Sequence, residues 1–393
     1  MSKELEERLE HVLGQVGPSD PAGEQARAGA MAALAVSRHR RPLLLLPAAV
    51  LATLVLTAAA LASDTVRRAV GIAPGHTGPP RTMPAPRGPL PPGAAGFAVV
   101  TGGRAVYAVG HRHAGLRSTA FELSPNAAYV AAGRRGRIDA IDPATGRVVV
   151  SHRVHGTVTA VSWAPIGIHI AYIVQRSGRS ALHLIDGTLM HDRVVDRNVA
   201  DVAPAWRWDS LAVAYVHGVN RVEVADLWRG RTAAVRRPGC AADAAPEQLA
   251  YAPHSNQLGV RSGAEVWVAN TGHAAFCVPA LGMPGPAVGG GFAWLTRHDI
   301  VETTFQYVQR LRVTRTRATA VGLAALRSGI EGVIASPDGR SLVLALRGRR
   351  VVLVDPPADH LPAPGQRPAQ LPVRQVLHIY PSPPAYPVGL IWR

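Results

Sequence analysis

The feature that most constrains this chain is a phrase that returns every 40–45 residues. Its fullest copy is ASPDGRSLVLAL at 335–346. Ser336-Pro337-Asp338-Gly339 is a turn in which proline presets φ and glycine accepts positive φ, and Leu342 to Leu346 follow as a strand. Looser copies are FELSPNAAYVAA from Phe121, VSWAPIGIHIAYI from Val161, PAWRWDSLAVAYV from Pro204, LAYAPHSNQLGV from Leu249 and FAWLTRHDIVET from Phe292. With Leu123, Trp163, Trp206, Tyr251, Trp294 and Ala335 as anchors, the intervals are 40, 43, 45, 43 and 41. Third strands follow in register: RIDAID from Arg137, ALHLID from Ala181, RVEVAD from Arg221, EVWVAN from Glu265 and RVVLVD from Arg350. Four strands per unit at this period predict the blades of an all-β propeller.

The two ends complete the count. GFAVVTGGRAVYAVG at 96–110 reads as later strands without an anchor, and PVGLIWR at the C-terminus supplies an anchor, Trp392, with nothing after it. Joined, they make a seventh blade and remove an exposed sheet edge. Seven blades are expected, with six or eight as alternatives. The last interval, 57 residues, is lengthened by the insert PPADHLPAPGQRPAQLP.

Ahead of the propeller (96–393) the composition changes three times. Residues 43–62, LLLLPAAVLATLVLTAAALA, carry no charge, and as a helix they would match a bilayer's hydrocarbon core of about 30 Å. We therefore predict a transmembrane helix over 42–62. Arg38, Arg40 and Arg41 precede it, which predicts a cytoplasmic N-terminus and an extracytoplasmic propeller in the cell envelope. Ala60-Leu61-Ala62 is the alternative, a signal-peptide cleavage site. In the stub 1–41, Leu5, Leu9, Val12, Leu13 and Val16 share one helix face, which is either solvated or the docking face for a cytoplasmic partner. Residues 63–95 are a Pro/Gly-rich linker.

The SPDG turn followed by a strand resembles the WD40-like repeats of TolB-like propellers, which are common in exported bacterial proteins. The resemblance spans 96–393, with one intact copy at 336–339 and eroded copies such as Ala164-Pro165-Ile166-Gly167. It implies a rigid platform for protein or ligand binding, and no chemistry.

Catalytic and cofactor templates are missing: no GxSxG elbow, no HExxH, no P-loop and no GxGxxG after a strand. No enzyme activity, metal or cofactor is expected, although a propeller hydrolase or lactonase is kept as a third reading. His111-Arg112-His113 is a local cluster in a predicted loop and would need ligands from elsewhere to hold a metal. Cys240 and Cys277 fall near the fourth strands of neighbouring repeats, within reach of a disulfide in an oxidising compartment, or stay as buried thiols.

The formal net charge is +16, and because Lys3 is the single lysine nearly all the cation is arginine. The loop between second and third strands carries Arg104, Arg134, Arg135, Arg176, Arg179, Arg221, Arg261, Arg310, Arg347 and Arg349. Such loops share one face of a propeller, so they predict an anion-binding face for carboxylate or phosphate, unless they are simply solvated turns. The expected partner is thus a protein or an anionic envelope ligand; nucleic acid is not expected, because the topology exports the domain. The leading reading is a non-catalytic membrane-anchored binding platform. The second is a transmembrane signalling protein of the anti-sigma layout, with the propeller as sensor, although the Cys/His motif of the zinc-binding class is missing.

Overall fold

In the computed structural model, residues 97–392 are described except for 102–103, 110–111, 126–127, 143–145, 167–168, 187–190, 228, 242, 271–272, 280–290, 337, 348–349, 364–365 and 378–386. The expected stub, membrane helix and linker lie outside the described residues. Among the described residues no helix is long and apolar enough to cross a membrane.

Strands form where aliphatic runs are bounded by turn residues, and they build six hydrogen-bonded sheets. The first contains β1 (Phe97–Thr101), β2 (Arg104–Val109) and β3 (Arg112–Arg117). The second contains β4 (Ala120–Leu123), β5 (Val130–Ile141), β6 (Val148–Trp163), β7 (His169–Arg176), β8 (Arg179–Asp186) and β9 (Asp192–Asp196), in that order. The third holds β10 (Ala205–Trp206), β11 (Ala212–His217), β12 (Arg221–Asp226) and β13 (Arg231–Ala234). The fourth holds β14 (Pro246–Tyr251), β15 (Leu258–Ser262), β16 (Glu265–Ala269) and β17 (Phe276–Cys277). In the fifth are β18 (Phe292–Trp294), β19 (Asp299–Thr304), β20 (Tyr307–Val313) and β21 (Ala318–Ala325). The sixth takes β22 (Ile330–Ala335), β23 (Leu342–Leu346) and β24 (Arg350–Val354). The Pro-rich insert then sends β25 (Ala369–Gln370) to the edge of the fifth sheet, parallel to β21, before β26 (Val373–Leu377) completes the sixth. Finally β27 (Pro387–Trp392) returns to the first sheet beside β1, with Phe97 opposite Trp392.

The expected count of seven blades is corrected: five separate blades form. Five sheets stand alone, each with four antiparallel strands and one with an added edge, whereas β4 to β9 are continuous. The cause is β6, which runs for 16 residues without a turn. Its first part pairs with β5 and its last part with β7, both registers meeting at Thr157. In the same sheet the expected second and third strands merge into β5, with Gly136 at φ 82° marking the hairpin between them.

Second strands are covered by neighbouring sheets on both faces, which is why they read as aliphatic runs rather than as alternations. All five residues of β23, LVLAL, are buried. Outer strands are exposed; all four residues of β13, RTAA, face solvent. Between sheets, Ile173 and Leu182 pack with Trp206, Val213 and Tyr215, and Val266 and Val268 pack with Phe292, Trp294 and Ile300. Each fully buried aliphatic side chain contributes about 1.5–3 kcal/mol. The repeat also appears in the hydrogen bonds that cross these seams. The Trp206 indole donates to the Ser162 carbonyl at 2.9 Å and the Trp294 indole to the Ala250 carbonyl at 3.0 Å, both across 44 residues. Trp206 and Trp294 are thereby each tied to the first strand of the preceding repeat.

Candidate functional site

The arginine-bearing hairpins differ in what surrounds them. Arg134 approaches Asp139 at 3.7 Å, Arg221 pairs with Glu223 at 2.7 Å, and Arg347 lies 3.9 Å from Glu331 and over the Phe305 ring. Arg261 and Arg310 are not in the loops where the spacing put them: each is the fourth residue of its strand, β15 and β20. Regular pairing continues past both positions, so the turn comes later for Arg261 and earlier for Arg310. Arg261 donates to the Gly263 carbonyl at 2.9 Å, and Arg310 meets Asp359 at 2.9 Å and Asp299 at 3.5 Å. Arg104 opens β2, and Arg349 lies outside the described residues.

Arg135, Arg176 and Arg179 are exposed hairpin residues with no carboxylate partner among the described residues. Continuous β6 draws them together. Arg135 pairs with Thr157, which pairs with Gln175, so Arg135 and Gln175 are two strand spacings apart, about 10 Å. Arg176 and Arg179 face each other across a two-residue turn in which Ser177 and Gly178 both take positive φ.

His113 and Arg112 are likewise not in a loop; both belong to β3, paired with Ala108 and Val109, and His111 lies outside the described residues. The cysteines are joined as a disulfide, Cys277 on β17 to Cys240 in the connection before β14, with Cα atoms 6.1 Å apart.

A polar cluster that linear spacing concealed sits around β9. Asp192 meets His183 at 3.1 Å and His152 at 3.6 Å, within its own sheet. A bulge between Leu182 and His183 shifts the pairing of β9, and Asp196 reaches the third sheet instead. There His217 lies 2.6 Å from its carboxylate, and the Asn198 amide donates to its other oxygen at 2.9 Å. Burial alone would raise the Asp196 carboxyl, but the bonds from His217 and Asn198 outweigh it and hold it below the ordinary carboxylate range. Beside it the Tyr215 hydroxyl donates to Glu223 at 2.8 Å, and burial together with that carboxylate pushes the phenol up. Ligand atoms of Asp196, His217 and Glu223 all lie within 4.8 Å of one another. The three residues are 21 and 6 positions apart, on three strands of two sheets, so no motif marks them.

The fifth sheet holds a buried acid. Glu302 is 5% exposed, one of its oxygens lacks a hydrogen-bond partner, and burial lifts its carboxyl to about 7 against the opposing pull of Arg261.

No family model matches the sequence, and no curated protein matches it. Solved structures do. The C-terminal WD40 domain of Sif2 is 12% identical with a TM-score of 0.51, covering 79% of this chain and 91% of that one. A 6-phosphogluconolactonase, so described as putative, from Bacteroides uniformis is 12% identical with a TM-score of 0.51, covering 77% of this chain and 100% of that one. A chain of the mitotic checkpoint complex is 10% identical with a TM-score of 0.52, covering 79% and 88%. At such identities the likeness is one of fold. The chain is an all-β propeller with WD40-like structural neighbours.

Proposed function

We propose that this protein is a non-catalytic binding platform, anchored in the membrane through residues 42–62, that presents its propeller outside the cytoplasm to a protein or anionic envelope ligand. The observation that carries the binding role is the edge bearing Arg135, Arg176 and Arg179. Three exposed guanidiniums on adjoining hairpins, none of them neutralised by a carboxylate among the described residues, suit bidentate capture of carboxylate or phosphate. The other hairpin arginines are largely occupied by their own acids, so the anion-binding face contracts from a ring to this edge. The Cys240–Cys277 bridge supports an oxidising compartment, and hence the exported topology. TolB-like character belongs to the same proposal.

The topology is tested by protease accessibility in cells stripped of their wall. Digestion of the propeller with survival of a small N-terminal fragment is expected; protection of the whole chain overturns the exported reading. The binding edge is tested on immobilised dextran sulfate. Substituting Arg135, Arg176 and Arg179 together by Ala should abolish salt-sensitive retention, whereas an unchanged elution profile would assign retention to the rest of the positive surface.

A further inference from the structure

We propose that Asp196, His217 and Glu223 form a binding site for one divalent transition-metal ion, of the class that zinc represents. The donors are one imidazole nitrogen and two carboxylate oxygens, all within 4.8 Å of one another. That mixed nitrogen and oxygen set suits zinc, with a solvent molecule completing the coordination. Donors around a tetrahedral zinc stand roughly 3.3–3.6 Å apart for bonds of about 2.0–2.2 Å. Occupancy therefore needs His217 and Asp196 to part from 2.6 Å by about 0.7–1 Å.

Each ligand is already held from behind, as metal ligands usually are. The Asn198 amide fixes Asp196, the Tyr215 hydroxyl fixes Glu223, and a backbone bridge from Val199 to His217 fixes the strand that carries the imidazole. His217 and Asp196 are 28% and 14% exposed in their side chains, so an ion has a route in from solvent. The group that competes with it is Arg221, 2.7 Å from Glu223 and 54% exposed, whose long stem lets the guanidinium swing into water. Because β9 belongs to the second sheet and β11 and β12 to the third, a bound ion would clasp two sheets together.

The test is a cobalt(II) titration of the full-length chain in detergent micelles, read by ligand-field absorption and by displacement with zinc(II). The expected result is one equivalent of a low-coordinate cobalt spectrum that zinc abolishes. His217→Ala should remove the spectrum, and Tyr215→Phe, which loses only the supporting donor, should weaken binding about ten-fold. Arg221→Ala should tighten binding, a change that misfolding cannot produce. Absence of the spectrum in the wild-type chain overturns the proposal, as does a spectrum that His217→Ala and Arg221→Ala both leave unchanged.

Discussion

Tyr215 and Glu302 occupy the same place in two sheets. Each is the fourth residue of a six-residue second strand, each is buried, and each faces a polar residue directly opposite on the third strand, Glu223 and Gln309 respectively. At the first position a hydroxyl donates to a carboxylate that also holds Arg221, so donors and acceptors balance. At the second, two acceptors meet: one oxygen of Glu302 and the amide oxygen of Gln309 are both buried without a hydrogen-bond partner. The backbone is equivalent; the donor inventory is not. A carboxylate one strand further out is paired with a hydroxyl and a guanidinium, while burial lifts the carboxyl on the second strand to about 7.

Four substitutions break or sharpen this comparison. The largest effect is expected at the two anchor tryptophans, whose indole bonds are the same in both seams. Trp206→Ala and Trp294→Ala should each cost about 3–5 kcal/mol, measured by urea unfolding. A loss at one site far below that at the other would show that the two seams do not carry equal load.

Next comes Glu302→Gln, whose effect depends on pH. The folded carboxyl titrates near 7 against an ordinary value of 4.5, so the folded state binds the extra proton between those values. The stability of the neutral form is complete below about pH 4.5 and is lost as pH rises through 7, amounting to about 3 kcal/mol. Glu302→Gln should therefore stabilise the protein by about that amount at pH 8 and change little at pH 5. An equal effect at both values would show that the carboxyl is not neutral in the fold.

The smallest effect is expected for Tyr215→Phe, about 1–2 kcal/mol, since Arg221 remains on the Glu223 carboxylate. Measured by the same unfolding series, its cost should stay flat from pH 5 to 8. A cost as pH-dependent as that of Glu302→Gln would mean that the two positions are not electrostatically distinct after all.

What the sequence by itself determined is the architecture. Anchor residues at intervals of 40–45, each with a turn and an aliphatic second strand, are local signals, and local signals survive without knowledge of neighbours. Leu342 to Leu346 could be read as a strand because turn chemistry and residue type sufficed. The uninterrupted path of β6 was not legible, because whether two adjacent four-stranded units stay separate depends on how their edge strands align at Thr157. Nor were the partners of the arginines. Arg310 meets Asp359 only because the Pro-rich insert folds back over the fifth sheet, where a Cβ on Gly322 would stand 2.1 Å from the Ala358 carbonyl. The cluster of Asp196, His217 and Glu223 is the clearest case. A one-residue bulge turns Asp196 toward the neighbouring sheet, and a convergence made across sheets leaves no period or motif in the chain that encodes it.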